Sequence, residues 1–265
     1  MADFKLQGIT PAAGNIKLGG LNVSKIYSGS TQVWPNSGYL FINSSELFQA
    51  VNLWVSNRSQ ALTTYGEINT WNTINVTNVQ NLFNGKTTFN DDISNWNVSN
   101  VTNMYAMFEN ATAFNQDISS WDVSNVTNMF QTFRGATTFD QNIGGWDVSN
   151  VASMGRMFRG ADVFNQYIGA WDVSSVLSMV EMFLEATSFN QDISAKDVTV
   201  GGITYTAWDV GSVTNMGTMF NYATSFNQDI SNWCVTSITS EPNLFSTNSP
   251  LTQSNKPVWG TCPTV

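Results

Sequence analysis

The sequence contains no histidine. Without an imidazole, the chain cannot build a Ser-His-Asp triad, a Cys-His dyad or a His-ligated zinc site, and it lacks the side chain that most often switches charge near neutral pH. These absences exclude much of the known catalytic machinery. We therefore predict that the protein is not an enzyme, and we assign it no catalytic residue, no metal and no cofactor.

Charge is also scarce. Only 11% of the residues are charged, against about 25% in a typical globular protein. The ten Lys and Arg residues are scattered among nineteen Asp and Glu, and the formal net charge is −9. Because a nucleic-acid partner needs a basic patch to neutralise its phosphates, we expect no nucleic acid and no anionic membrane as partner.

Long apolar runs are missing as well. No stretch reaches the 18 or so apolar residues that a membrane-spanning helix needs, and the first twenty residues have no basic segment followed by an apolar one. The sequence therefore predicts no membrane insertion and no secretory signal.

What the sequence does have is a tryptophan every 25 residues, interrupted once by an insertion. The series is Trp71, Trp96, Trp121, Trp146, Trp171, Trp208 and Trp233. A fixed period of this length indicates a repeat architecture, in which each unit is too small to bury its apolar face alone and must stack on its neighbours.

Each repeat carries two patterns. Apolar, β-branched positions between Ile118 and Val126 predict a short strand, and the spacing of Met129, Phe133 and Ala136 predicts one face of a short helix. A glycine such as Gly135 ends that helix. The predicted strands join into one parallel sheet, with the Trp, Ile, Val, Met and Phe side chains stacked inside.

The flanking segments depart from the repeat. Short alternating runs separated by glycines predict a small β module, and the apolar spacing over residues 44–65 predicts an amphipathic helix, with Ser44 or Ser45 as N-cap, that closes one end of the stack. Four prolines end the regular pattern after the last repeat. The predicted organisation is a β module at 1–36, a helical cap at 37–70, repeats at 71–233 with an insertion at about 197–208, and a C-terminal cap at 234–265.

The insertion contains a Gly-Gly pair and is predicted to project as a hairpin, with Gly201, Gly202 and Tyr205 as its characteristic residues. Insertions in repeat proteins are common binding elements, although a tolerated surface loop explains this one equally well. The two cysteines, Cys234 and Cys262, both lie in the C-terminal cap. We predict a disulfide between them, and two free thiols are the alternative in a reducing compartment.

The residue after each repeated tryptophan is polar. These residues are Asn97, Asp122, Asp147, Asp172 and Asp209. On the outer face of a sheet they would form a strip with a spacing of about 4.8 Å. One interpretation is a ligand-facing strip for sugar hydroxyls or calcium, and the other is a solvated row that accepts hydrogen bonds from neighbouring Ser and Asn. No pair stands out as the two carboxylates of a glycosidase.

Two resemblances extend these predictions. The order of apolar residues resembles a leucine-rich repeat. The repeated motif, which reads FNQDISSWDVSNVTNM from Phe114, resembles the BspA-like repeats of bacterial surface proteins, and this likeness covers residues 47–263. That likeness implies an α/β, leucine-rich-repeat-like right-handed solenoid with one parallel β-sheet and short helices, used for surface display and adhesion. The segment from Gly14 to Pro35, which ends KIYSGSTQVWP, resembles the N-terminal piece of tailed-phage virion proteins. On that likeness the anchor residues are Ile26, Tyr27, Val33 and Trp34.

These resemblances together predict a non-enzymatic structural or adhesion protein of a phage virion, located at the particle surface. Residues 1–36 would bind other virion proteins, and the repeats would bind a glycan or protein of the host surface. A homo-oligomer is compatible with this arrangement. The first alternative is a bacterial cell-surface adhesin of the BspA-like type, and the second is a polysaccharide-degrading solenoid enzyme.

Overall fold

The computed structural model describes residues 38–263 in full and, ahead of them, the backbones of four short strands. These strands are β1 (Ile16–Leu18), β2 (Leu21–Val23), β3 (Ile26–Ser28) and β4 (Thr31–Trp34). The strands pair as two antiparallel hairpins, β1 with β2 and β3 with β4, and the second hairpin is irregular beside Ile26. Each hairpin joins strands that are neighbours in sequence.

Two helices cover the N-terminal end of the repeats, where one was predicted. They are α1 (Ser44–Ser56) and α2 (Arg58–Tyr65). The N-cap of α1 is Asn43 rather than Ser44 or Ser45, because its side chain accepts the amide of Glu46 at 2.9 Å. Asn57 separates the helices, since it ends α1 and its side-chain oxygen caps α2. The buried side of α1 includes Trp54, whose ring meets Trp71 of the first coil edge to face.

Successive repeats are coils that lie directly on one another. Residues in equivalent positions form a row of parallel bridges from coil to coil: Asn78, Asn103, Asn128, Ser153, Ser178 and Asn215. Beyond each bridge, the amides of alternate residues donate to carbonyls of the next coil. In one coil these donors are Met104, Ala106, Phe108 and Asn110, at 2.7–2.9 Å from their acceptors. Backbone groups that a single coil would leave unpaired are thus satisfied by its neighbour.

The prediction of one strand and one short helix in each repeat is wrong. Residues 118–126 form turns, and the ladder between coils runs instead through the following segment, where the helix was predicted. Between residues 66 and 263 the structure has no α-helix. The reason is that Gln131 and Gly135 both have φ above +60°, and their counterparts in other coils also have positive φ, which interrupts a helix every four residues. The side chains of Met129, Phe133 and Ala136 still point inward, so tight turns satisfy the same apolar spacing as a helix.

The interior is a set of aromatic columns. All seven repeated tryptophans are buried, and two adjacent pairs, Trp71 with Trp96 and Trp208 with Trp233, stack with ring centroids 6.0 Å apart. A phenylalanine column runs beside them, with Phe108 and Phe133 stacked at 5.5 Å. In the six repeats from Trp96 to Trp233, the indole N–H donates to an isoleucine carbonyl of the preceding coil, as Trp146 does to Ile118 at 3.1 Å. Each tryptophan therefore joins two coils by packing and by a hydrogen bond.

Ion pairs on the outside also join neighbouring coils. Glu181 accepts two hydrogen bonds from Arg156, both at 3.0 Å, and one from Arg159 at 2.6 Å. Burial acts to raise the pKa of Glu181, but the hydrogen bonds and charges of the two arginines outweigh it and hold the pKa below its usual value. The carboxylate is therefore more strongly ionised in the folded chain than in the unfolded one.

We expect Glu181→Gln to lower the free energy of unfolding by about 1 kcal/mol at pH 7, since it removes a partly screened, bidentate pair. This stabilisation is complete above the unfolded pKa, about 4.3, and is lost as the pH falls through the lower folded pKa. Urea titrations of both proteins from pH 7 to pH 2.5 measure this difference. Glu185→Gln is the control, because Glu185 lies 3.9 Å from Arg159 and is half exposed. An equal loss in both variants, or a loss that persists at pH 2.5, would contradict the prediction.

The C-terminal residues continue the stack without the full repeat pattern. The amides of Thr218, Phe220 and Tyr222 donate to carbonyls in residues 243–247, as in the earlier coils. Cys234 and Cys262 are joined by a disulfide. Next to it, Val235 donates to the carbonyl of Thr261 at 2.9 Å. The chain end is thus held against the last coil by a covalent bond and by the backbone.

Candidate binding site at the inserted hairpin

The polar strip after the tryptophans lies in turns rather than on a sheet. The side-chain oxygen of Asp122 accepts both the amide and the hydroxyl of Ser124, at 3.1 and 2.6 Å. Asn97, Asp147 and Asp172 make the same pair of bonds to the serine two residues on, and Asp209 accepts the amide of Gly211. These side chains therefore close local turns, which accounts for their recurrence without a ligand. Their predicted ligand-facing role stays untested.

The insertion forms an antiparallel hairpin of β5 (Lys196–Val200) and β6 (Ile203–Ala207). Gly201 and Gly202 form its two-residue turn with φ of +59° and +84°, the conformation that favours a Gly-Gly pair. Near the tip, Val200 and Ile203 are 53% and 70% exposed. At the base, Lys196 pairs with Ala207, so the chain leaves the coil and returns to it at adjacent points.

One coil next to the hairpin departs from the repeat at the residue before its buried isoleucine. The residue before the buried isoleucine is Asp92, Asp117, Asn142, Asp192 or Asp229 in other coils, where its side chain accepts the amide two residues later. In this coil it is Tyr167, which is 47% exposed. A Cβ added to Gly169 would lie 2.7 Å from the tyrosine ring, so the ring rests on the backbone of its own turn.

The hairpin brings a charged pair to this ring. The ammonium of Lys196 lies 5.7 Å from the centre of the Tyr167 ring and bonds to the Asp192 carboxylate at 2.5 Å. Burial acts to raise the pKa of Asp192, but Lys196 and Ser194 outweigh it and lower that pKa; the pKa of Lys196 is raised by Asp192 against the effect of burial. Both groups are therefore charged at neutral pH, and the pair fixes the base of the hairpin.

Tyr205, on the second strand, fastens the hairpin to the coil below. Its hydroxyl donates to the carbonyl of Ala170 at 2.5 Å. Burial raises the pKa of Tyr205, and the charges of Asp172 and Asp147 add to this, so the hydroxyl stays protonated as a donor. Of the three predicted hairpin residues, the two glycines form the turn and Tyr205 forms the attachment.

A polar depression borders Asp192. It has a volume of about 370 Å³ and is lined by Asp192, Ser194, Gln228, Asp229 and Asn232. Asn232 binds the backbone of Ala195 through both its amide nitrogen and its oxygen, which ties the depression to the base of the hairpin. Asp192 therefore connects these features, since it lines the depression and binds Lys196, whose ammonium lies near the Tyr167 ring.

Sequence reasoning found the hairpin but missed Tyr167, Lys196 and the depression. The signal for Tyr167 is the loss of the recurring Asp or Asn in one coil, which an alignment of the repeats against each other makes visible. The other predicted candidates lie elsewhere. Within the fully described residues 38–263, no three His, Cys, Asp or Glu side chains are placed to hold a metal ion, and no helix is long and apolar enough to cross a membrane. The predicted anchor side chains of Ile26, Tyr27, Val33 and Trp34 lie outside the described side chains.

The stacked coils, the aromatic columns and the projecting hairpin define a repeat protein whose units are held together from one coil to the next. Residues 52–162, and again residues 140–259, match the family described as "Mycoplasma protein of unknown function, DUF285". These matches span most of the chain, and the chain belongs to this family. The part of the predicted resemblance that concerns bacterial surface repeats is thereby confirmed at the level of the family.

Neither a curated protein nor a solved structure gave a significant match to the chain. The family match begins at residue 52, so it does not reach the N-terminal segment that resembles phage virion proteins. That part of the resemblance stays a prediction.

Proposed function

We propose that this protein is a non-enzymatic display and adhesion protein, whose repeats carry a binding surface away from the point of attachment. The observation that most supports this proposal is that the repeated residues have structural roles in the coil. Tryptophan, isoleucine and phenylalanine fill the interior, while the recurring Asp and Asn side chains close turns. The repeated residues therefore serve the fold of each coil. Two features that break the repeat, the inserted hairpin and Tyr167, lie together.

We also propose that the array is a right-handed solenoid of the leucine-rich-repeat type. The parallel bridges between equivalent residues and the membership in a repeat family support stacking in register. A stack of this kind suits display, because its length grows with the number of repeats and each unit contacts only its neighbours.

For the carrier we propose a phage virion, with residues 1–36 bound to other virion proteins. The support is the likeness of the segment from Gly14 to Pro35 to tailed-phage virion proteins. A bacterial cell surface is the second candidate, and the family match favours it, since that family is described from mycoplasma. Both proposals share the adhesive role of the repeats and differ in what holds the N-terminus.

The test of attachment is a chain that lacks residues 1–36. We expect this variant to fold, since residues 38–263 contain their own core, but to be absent from purified particles that incorporate the full chain. Incorporation at the normal level would contradict the anchoring role. The test of adhesion is retention of the purified full chain on intact bacterial and animal cells, and the absence of retention on every cell type would contradict it. Release of reducing sugar from cell-surface polysaccharide would instead favour the enzyme alternative.

A further inference from the structure

We propose that the surface formed by Tyr167, the base of the inserted hairpin and the adjoining depression is a binding site for a neutral glycan chain. This inference rests on the proposed adhesive function and gives it a location and a class of ligand. Four observations carry it: an exposed ring, a polar depression of small-ligand size, a local excess of acidic groups, and the independence of the stack from the hairpin.

The first observation is the ring of Tyr167. An aromatic face offers a flat apolar surface on which the C–H groups of a pyranose ring can pack, while the phenol hydroxyl remains in water. Tyr167 is 47% exposed although its position in the other regular coils is a short turn-closing Asp or Asn. The turn does not require the ring, because the preceding coil makes the same Gln-x-Ile-Gly turn with Asn142.

The second observation is the depression. Its volume of about 370 Å³ falls at the lower end of the range for small-ligand sites. Its lining combines carboxylates with amide and hydroxyl side chains. Since the amides of Gln228 and Asn232 and the hydroxyl of Ser194 already donate within the chain, the lining offers mainly carboxylate acceptors to sugar hydroxyls. Among the described residues, Asp229 is engaged through one oxygen, by the amide of Ser231 at 2.9 Å, so the second oxygen is left as an acceptor.

The third observation is charge, which selects a neutral glycan over an acidic one. Asp192 and Asp229 line the depression, and the nearby cation, Lys196, is already bonded to Asp192. A uronate or sialate would be repelled by the carboxylate of Asp229, which forms no ion pair among the described residues, whereas a sugar hydroxyl would donate to it. The net charge of −9 adds to the repulsion of an anionic polymer.

The fourth observation is that the stack does not need the hairpin. Trp208 lies in the tryptophan column and its indole N–H reaches the carbonyl of Ile168 at 2.9 Å, as in the regular coils. Removing residues 196–207 would join Ala195 to Trp208 and restore both the 25-residue period and the Ile-x-x-Trp spacing from Ile193. Since Lys196 and Ala207 are paired across the hairpin, the two ends to be joined are close together.

The experiment uses the full chain and three variants. In Tyr167→Asn the ring is replaced by the residue that the preceding coil carries, and in the deletion variant residues 196–207 are removed. Tyr222→Asn is the matched control, because Tyr222 is 50% exposed on another coil and has a positive φ that Asn tolerates. Binding is measured by titration against an array of neutral gluco-, manno- and galacto-oligosaccharides and of uronate-containing oligosaccharides, and thermal unfolding of every variant confirms the fold.

We expect the full chain and Tyr222→Asn to bind at least one neutral oligosaccharide with the same affinity. Tyr167→Asn should weaken this binding by about tenfold or more, as the loss of a stacked ring would. The deletion variant should lose the binding while its melting temperature stays close to that of the full chain. Binding of uronate oligosaccharides alone, equal affinity in Tyr167→Asn, or no binding of any oligosaccharide by the full chain would overturn the proposal.

Failure of this proposal is distinguishable from failure of the proposed function. If the full chain is retained on intact cells and both site variants are retained equally, adhesion stands and this site is not its basis. If the full chain is retained on no cells, the adhesive function itself is contradicted.

Discussion

Replacement of Trp146 by alanine is expected to lower the free energy of unfolding by about 3–5 kcal/mol, the range for loss of a large buried aromatic side chain. Trp146 is 4% exposed and donates its indole N–H to the carbonyl of Ile118 in the preceding coil at 3.1 Å. Phe133 packs on it with ring centroids 6.1 Å apart. The substitution therefore removes packing and a hydrogen bond at the junction of two coils.

The stack makes this loss more damaging than in a compact core. Each coil contacts only its neighbours, so a weakened junction in the middle separates the array into two parts that unfold with less mutual support. We expect the variant to show a broadened or two-step urea transition, measured by circular dichroism and by the fluorescence of the remaining tryptophans.

Trp146→Phe is the control that separates the contribution of ring packing from that of the indole hydrogen bond. It keeps an aromatic ring in the column but removes the bond to Ile118, whose carbonyl still accepts the amide of Trp121. Loss of one such bond costs about 1 kcal/mol, so this variant should lie well above the alanine variant in stability. Equal stability of Trp146→Ala and the unsubstituted protein would show that the column is not an interior junction.

Loss of the disulfide is the second large effect. Cys234 and Cys262 are 28 residues apart in sequence, and for a loop of this length the chain-entropy relation gives about 3–4 kcal/mol of stabilisation. The double variant Cys234→Ser with Cys262→Ser is therefore expected to lose about this amount. Urea titration under oxidising conditions measures it.

The effect should be confined to the C-terminal end of the stack, where the disulfide holds residues 250–263 against the last full coil. Limited proteolysis of the double variant is expected to trim the C-terminus first and to leave the coils from Trp71 to Trp171 intact. Treatment of the unsubstituted protein with a reductant is the control, and it should reproduce the variant. If reduction changes neither stability nor cleavage, the backbone bonds from Val235 to Thr261 and from Gly260 to Ile238 hold this end without the disulfide.

The period and the content of the interior could be read from the sequence because they depend on spacing. The recurrence of Trp, Ile, Val, Met and Phe at fixed positions requires those side chains to meet in columns, whatever the backbone does between them. The conformation of the backbone could not be predicted in this way. Met129, Phe133 and Ala136 have the spacing of a helix face, yet positive φ values at Gln131 and Gly135 produce successive tight turns with the same inward side chains.

The positive φ of Gln131 illustrates why the prediction failed. Glycine at 135 indicates a left-handed residue, but glutamine carries no such signal, and the conformation becomes stable only when the amide of Gln131 donates to the carbonyl of Gly155 in the next coil at 3.0 Å. Local sequence reasoning does not include that long-range bond. The predicted N-cap was wrong for a related reason. Asn43 and Asn57 compete with nearby serines as N-caps, and which residue caps the helix depends on tertiary contacts.

The candidate site was half predictable. The length of the insertion and its Gly-Gly pair indicate a hairpin, but they do not predict which coil the hairpin contacts. That direction is set by the bond from Tyr205 to Ala170 and by Lys196, which lies between Asp192 and Tyr167, so that the hairpin contacts two coils. Reading each repeat against its neighbours, rather than against a consensus, is the step that singles out Tyr167.

The central claim is that backbone amides without a partner in their own coil are bonded to the next coil. Amide hydrogen exchange, followed by NMR, tests it most directly at Met129, Gln131, Phe133 and Gly135, which donate to carbonyls of the following coil at 2.7–3.0 Å. The amides of Ser124 and Phe130, which bond to the side chains of Asp122 and Asn128, serve as internal references. Much slower exchange at the four ladder amides than at the two references is the predicted result. Equally fast exchange at all six would contradict the stacking of the coils.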